Sequence, residues 1–127
     1  MSFLPSDDVT HLQSKEIVYK EVEEGGRKGI VLIAYSLPAA RFDANKADIL
    51  ILLPSGYPDV GPDMFYLLPW VRLVAGNRYP KAADQPLQFC GQKWQRWSRH
   101  NPEWRPGIDG IWTMLKRIDA ALQVAAA

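Results

Sequence analysis

Four apolar runs follow one another between residues 17 and 68 with only turns and loops between them, and this succession constrains the fold more than any other feature. Residues 17–24 mix β-branched and charged side chains like a half-exposed strand. Glu24-Gly25-Gly26-Arg27 supplies a turn, because glycine tolerates positive φ. Residues 28–35, centred on Ile30-Val31-Leu32-Ile33, read as the return strand. A third run covers 48–53 and stops at Pro54; a fourth covers 64–68, with 71–74 read as its continuation beyond Pro69. Strands that run together rather than alternating with helices indicate an α+β chain built on an antiparallel meander.

Helical signals sit at the two ends. Ser6-Asp7-Asp8 reads as the cap of a short helix reaching Gln13. Ile108, Ile111, Trp112, Leu115, Ile118 and Leu122 recur at spacings of three and four, one face of an amphipathic helix. Asp109 falls in its first turn and Lys116 and Arg117 further on, in the sense the helix dipole favours. Pro106 suits its entrance. Residues 76–88 are polar, carry Pro80 and Pro86 and show neither period, so they are expected to be irregular. The expected order is a helix, a four-stranded meander, a long irregular segment and a helix, in one domain spanning 1–127.

A net charge of +1, from 15 Lys+Arg against 14 Asp+Glu, provides no global field for nucleic acid or an anionic membrane. No apolar run is long enough to span a bilayer, and the N-terminus lacks the pattern of a signal peptide. The single cysteine, Cys90, cannot form an internal disulfide and suits a reducing compartment, so a cytoplasmic protein is expected. Two distant histidines and one cysteine are too few for a structural zinc site, and no phosphate-binding glycine loop occurs. No metal or organic cofactor is expected.

Taken together, Asp48 to Pro62, with its Tyr57-Pro58 turn and further Pro62, then Met64-Phe65-Tyr66, Cys90, Trp104-Arg105-Pro106 and the terminal helix resemble ubiquitin-conjugating enzymes over nearly the whole chain. The segment Trp94-Gln95-Arg96-Trp97-Ser98-Arg99-His100 is most similar to a divergent prokaryotic branch, encoded beside ubiquitin-like proteins, adenylating activating enzymes and JAB-type peptidases. The His-Pro-Asn tripeptide usual in the family is missing; Asn77-Arg78-Tyr79-Pro80 is the nearest text. The resemblance implies a UBC fold and a cysteine that accepts the C-terminal acyl group of a ubiquitin-like protein from the activating enzyme, then passes it to an amine of a target. The JAB-type peptidase is a further partner in such a pathway.

On that reading Cys90 is the acyl carrier. An ordinary cysteine, with pKa about 8.5, is mostly thiol at neutral pH, and Lys93, Arg96, Arg99 and His100 bring positive charge to its segment. Gly91 leaves room for a polypeptide tail. Transfer needs a hydrogen-bond donor at the thioester oxygen. With the usual Asn absent, His100, Asn101 or a backbone N–H must serve, and His100 is preferred because imidazole both donates and accepts. The rival reading has Cys90 buried and the chain as a non-catalytic UBC module that binds a ubiquitin-like protein or scaffolds a conjugation complex. A third has Trp94 and Trp97 stacking on single-stranded nucleic acid, against which the neutral charge counts. Packing is the expected role of Trp94, Trp97 and Trp104, and His11 is expected to be exposed on the first helix.

Overall fold

A computed structural model describes residues 2–100 and 103–126. Helix α1 (Ser6–Ser14) is followed by strands β1 (Tyr19–Glu24), β2 (Arg27–Ser36), β3 (Lys46–Leu53) and β4 (Phe65–Leu68), then by β5 (Gln85–Phe89), β6 (Gln92–Trp97) and helix α2 (Ile111–Val124). All pairings are antiparallel and the sheet order is β1-β2-β3-β4-β6-β5. The four-stranded meander is as the sequence indicates. The segment expected to be irregular is not wholly so: it contains a hairpin whose second strand pairs with β4, extending the sheet to six strands. Residues 71–74 do not continue β4; Leu73 makes isolated bridges to Phe42 and Arg78 instead.

Period-2 alternation sends side chains to both faces of the sheet, and both faces are covered. One face carries Ile30, Leu32, Ile49, Ile51, Phe65, Leu67 and Trp97, packed with Leu12 of α1 and Ile111, Ile118 and Leu122 of α2. The other carries a smaller cluster of Val31, Leu50, Tyr66, Phe89 and Trp94. Trp94 and Trp97 are buried on opposite faces, 5% and 0% exposed, which removes them as stacking platforms for nucleic acid. Between Leu32 and Tyr35 the β2–β3 register shifts. There Ala34 takes φ +50 and donates its N–H to the Asp48 carboxylate at 2.9 Å, the signature of a bulge that bends the strand. Pro86 lies on the edge strand β5, where a missing N–H is tolerated.

The helix boundaries differ from expectation in an instructive way. Ile108, 57% exposed, and Asp109 precede α2, whose first residue is Ile111. None of Ser6, Asp7 and Asp8 caps α1 through its side chain. Asp8 is buried and accepts from the N–H of Ile111 at 3.1 Å and from the Tyr57 hydroxyl. Its carboxylate thus lies at the N-terminus of α2, where the helix dipole favours negative charge, and ties both helices to the Tyr57-Pro58 turn. Burial first, and the Asp8 partner second, hold the Tyr57 hydroxyl well above its ordinary pKa. His11 is half-buried rather than exposed, with its ring 5.9 Å from that of Trp112. Among the described residues no helix is long and apolar enough to cross a membrane.

Candidate active site

Register pairs Phe89 with Gln92, so the loop joining β5 and β6 consists of Cys90 and Gly91 alone. Both have positive φ, +50 and +76, the conformation of a type I′ hairpin turn. This geometry matches the right-handed twist of the flanking strands, and Asn-Gly usually supplies it. A cysteine at the first position is unusual, because a side chain in left-handed conformation crowds the following carbonyl at a cost of about 1–2 kcal/mol. The base of the turn is fixed: Phe89 is buried, and the Trp94 indole N–H donates to its carbonyl at 3.2 Å. Cys90 itself is exposed, and the position a side chain on Gly91 would occupy meets nothing within 4 Å. The reading in which Cys90 is a packed core residue fails on this point. On the chemical side, an accessible thiol at a tight turn can be reached by a narrow polypeptide tail from either side.

His100 is elsewhere. Strand β6 leads away from the turn, and its five steps from Gln92 to Trp97 cover about 17 Å at the ordinary rise. Three residues past the far end, the imidazole Nδ1 lies 3.0 Å from each oxygen of the Asp63 carboxylate, with the two side chains 64% and 60% exposed. The structure therefore does not bring Cys90 and His100 together, and the assistance expected of His100 is not available to Cys90 of the same chain. An irregular segment could have folded back on itself; a strand cannot. Asn101, the other side-chain donor considered, lies outside the described residues. The basic residues of the segment also diverge. Arg96 lies opposite Tyr66 in the ladder, and Arg99 covers the Trp97 ring at 5.1 Å, where burial lowers its pKa. Arg27 of β2, which no sequence motif singles out, reaches the Phe89 ring at 5.5 Å.

The hairpin is anchored by Gln95, a residue in the middle of β6 that is fully buried. Its Oε1 accepts from the Val71 N–H at 2.9 Å and from the Trp97 indole at 3.2 Å. Its Nε2 donates to the Val71 and Ala83 carbonyls at 2.9 and 2.8 Å. All four hydrogen-bonding positions of one amide are thereby used, three of them to fasten two loops to the strand and the fourth to hold the Trp97 indole of the same strand. Trp104 donates to the Pro58 carbonyl at 2.8 Å and fills the space that a side chain at Gly61 would take. Arg105 donates its backbone N–H at 2.8 Å and its guanidinium at 3.0 Å to Asp109. Those bonds, ahead of a smaller contribution from Thr113, pull the Asp109 carboxyl down to about 2.

Sequence reasoning missed Gln95 and Asp63 as structural or site residues, and it read Asp8 as part of the cap of its own helix rather than as a partner of α2. A polar residue between two buried tryptophans was the available signal for Gln95; Asp63 gave none.

A family model described as Prokaryotic E2 family E matches residues 4–125. No curated protein and no solved structure matches the chain.

Proposed function

The chain belongs to prokaryotic E2 family E, and from that premise we propose that it is a conjugating enzyme for a ubiquitin-like protein, with Cys90 as the acyl carrier. Family membership points to a role related to ubiquitin-like conjugation; the exposed position of Cys90 at an unobstructed hairpin tip is the observation that supports catalysis. In the loading step the Cys90 thiolate attacks the acyl carbon of the activating enzyme's thioester. A new S–C bond forms, the old one breaks, and the activating enzyme's thiolate leaves. In discharge an amine of the target protein attacks the same carbon, the Cys90 S–C bond breaks, and the amine nitrogen loses a proton to give an amide. The electron pair of that bond leaves with the Cys90 sulfur, and the proton passes to solvent or to the departing thiolate at this exposed turn, because His100 stands at the other end of β6. A JAB-type peptidase, which would reverse the modification, completes the expected set of partners.

The separation of Cys90 from His100 favours a second reading, a non-catalytic module that binds a ubiquitin-like protein or scaffolds a conjugation complex. One experiment divides the two. The protein is mixed with an activating enzyme, a ubiquitin-like protein and ATP. A reductant-sensitive adduct that is absent in Cys90→Ser is the expected result. Binding without any adduct selects the scaffold.

A further inference from the structure

The sheet has two edges, β1 and β5, and they differ in how they are protected. Edge strand β1 carries Lys20, Glu21, Glu23 and Glu24, and the Glu21 carboxylate accepts the Phe3 N–H at 2.7 Å and the Ser2 hydroxyl at 3.1 Å. Charge and cover of this kind keep an edge from pairing with another chain. Edge strand β5, Gln85-Pro86-Leu87-Gln88-Phe89, carries no charged side chain and runs directly into Cys90. Gln85, Pro86 and Gln88 are exposed.

The two-residue turn fixes which backbone groups of β5 face outward. Residues flanking such a turn, here Phe89 and Gln92, exchange both hydrogen bonds, and bonded and non-bonded pairs then alternate along the ladder. Leu87 therefore bonds to Trp94, whereas Gln88 and Lys93 lie opposite each other without bonding. The Lys93 carbonyl is taken instead by the indole N–H of Trp70, at 2.9 Å, from a residue just past β4 on the side of β6 away from β5. The Gln88 N–H and carbonyl and the Pro86 carbonyl accordingly point away from the sheet at its edge. No described residue hydrogen-bonds to any of them. Pro86 occupies a position whose N–H would also have faced outward, so the ladder loses nothing by it.

We infer that this edge receives the C-terminal tail of the ubiquitin-like protein as an added parallel strand that ends at Cys90. The inference rests on Cys90 as the acyl carrier. Because β5 runs towards Cys90, only a parallel strand brings its own C-terminal end to the thiol. In a parallel pair one tail residue accepts from the Gln88 N–H and donates its own N–H to the Pro86 carbonyl. The residue two places later donates to the Gln88 carbonyl. Three main-chain bonds result, and none depends on tail side chains. A second copy of this chain laid antiparallel on the same edge makes two between its β5 strands, because Pro86 has no N–H to offer.

The test needs no activating enzyme. Acetyl-Thr-Val-Thr-Val carrying a C-terminal aminoethanethiol is joined to Cys90 of the intact protein as a disulfide, and amide exchange is followed by NMR. The Gln88 N–H should exchange at least about fivefold more slowly than in protein carrying aminoethanethiol alone, the factor one hydrogen bond of ordinary net strength provides. The Leu87 N–H, already in the ladder, should not change. Methylating both threonine nitrogens and methylating both valine nitrogens of the peptide should differ in effect, since one set holds the bonding N–H groups and the other faces solvent. Unchanged exchange at Gln88, or equal loss from both methylated peptides, overturns the proposal. So does Gln88 protection in the unmodified protein that rises with protein concentration, which assigns the edge to a second copy. In the conjugation assay Gln88→Pro, which repeats at this position what Pro86 already does, should slow adduct formation about fivefold, with Gln88→Ala as fast as the natural chain. Equal rates in the two variants overturn the proposal as well. No adduct in the natural chain counts against the acyl-carrier reading alone, and the disulfide-linked protein still decides whether the edge takes a strand.

Discussion

The two tight hairpins of the sheet share a backbone and differ in what they place on it. The β1–β2 turn uses Gly25 and Gly26 at φ +58 and +81; the β5–β6 turn uses Cys90 and Gly91 at φ +50 and +76. Glycine adopts these angles without steric cost, whereas cysteine does not. The β1–β2 turn is therefore the answer a chain gives when it only needs to reverse direction. The β5–β6 turn accepts strain at one residue and in return holds a thiol away from the body of the protein. Strain of this kind persists where the surroundings over-determine it, and here Trp94 and Gln95 fix the strands beneath the turn.

The largest effect should come from removing that support. Gln95→Leu leaves two backbone carbonyls, one backbone N–H and the Trp97 indole without their partner in a dry interior. We expect a loss of about 3–5 kcal/mol in urea denaturation, since each abandoned buried group costs about 1–3 kcal/mol and some will find water. A loss below about 1 kcal/mol would show that the hairpin is held by its ladder and tryptophans alone.

A smaller effect tests the comparison directly. Cys90→Asn places the preferred residue in the type I′ turn and should stabilise the protein by about 1 kcal/mol, whereas Gly25→Cys should destabilise it by a similar amount. Opposite shifts of a few degrees in Tm would establish the strain at Cys90. Shifts of the same sign would mean that the turns are not equivalent. In the Cys90→Ser background the thiol of Gly25→Cys should alkylate as fast in the folded state as Cys90 does in the natural chain, since nothing lies within 4 Å of a side chain at Gly25.

The smallest expected effect concerns acid. The Asp109 carboxyl is depressed from 3.8 to about 2 in the folded protein, so its contribution to stability is complete above the unfolded value. It is lost as pH falls from about 4 towards 2. Asp109→Asn should therefore lower Tm slightly at neutral pH and converge with the natural chain near pH 2. A gap that stays constant across this range would assign the effect to packing.

Much of the fold was legible because it rests on local pattern. The four runs between 17 and 68 became β1 to β4, and the spacing of Ile111, Leu115, Ile118 and Leu122 became the buried face of α2. The β5–β6 hairpin was not legible. Its strands are polar, Pro86 interrupts one of them, and Trp94 and Trp97 point to opposite faces, so the segment lacks the alternation that marks a half-buried strand. Cys90-Gly91 is also an uncommon turn pair. Missing that hairpin is what made His100 look like a neighbour of Cys90.

By itself the sequence determined the antiparallel meander, the terminal helix, the resemblance borne out by the family match and the fact that Cys90 is the single cysteine. These depend on residue identity and on periods of two and near four, which a chain carries along its length. Only the tertiary structure decided that Cys90 is exposed, that Asp8 serves the far helix rather than its own, and that His100 belongs with Asp63. Each of those outcomes depends on which segments meet across the sheet. A strand of six residues between Cys90 and His100 turns closeness in sequence into distance in space.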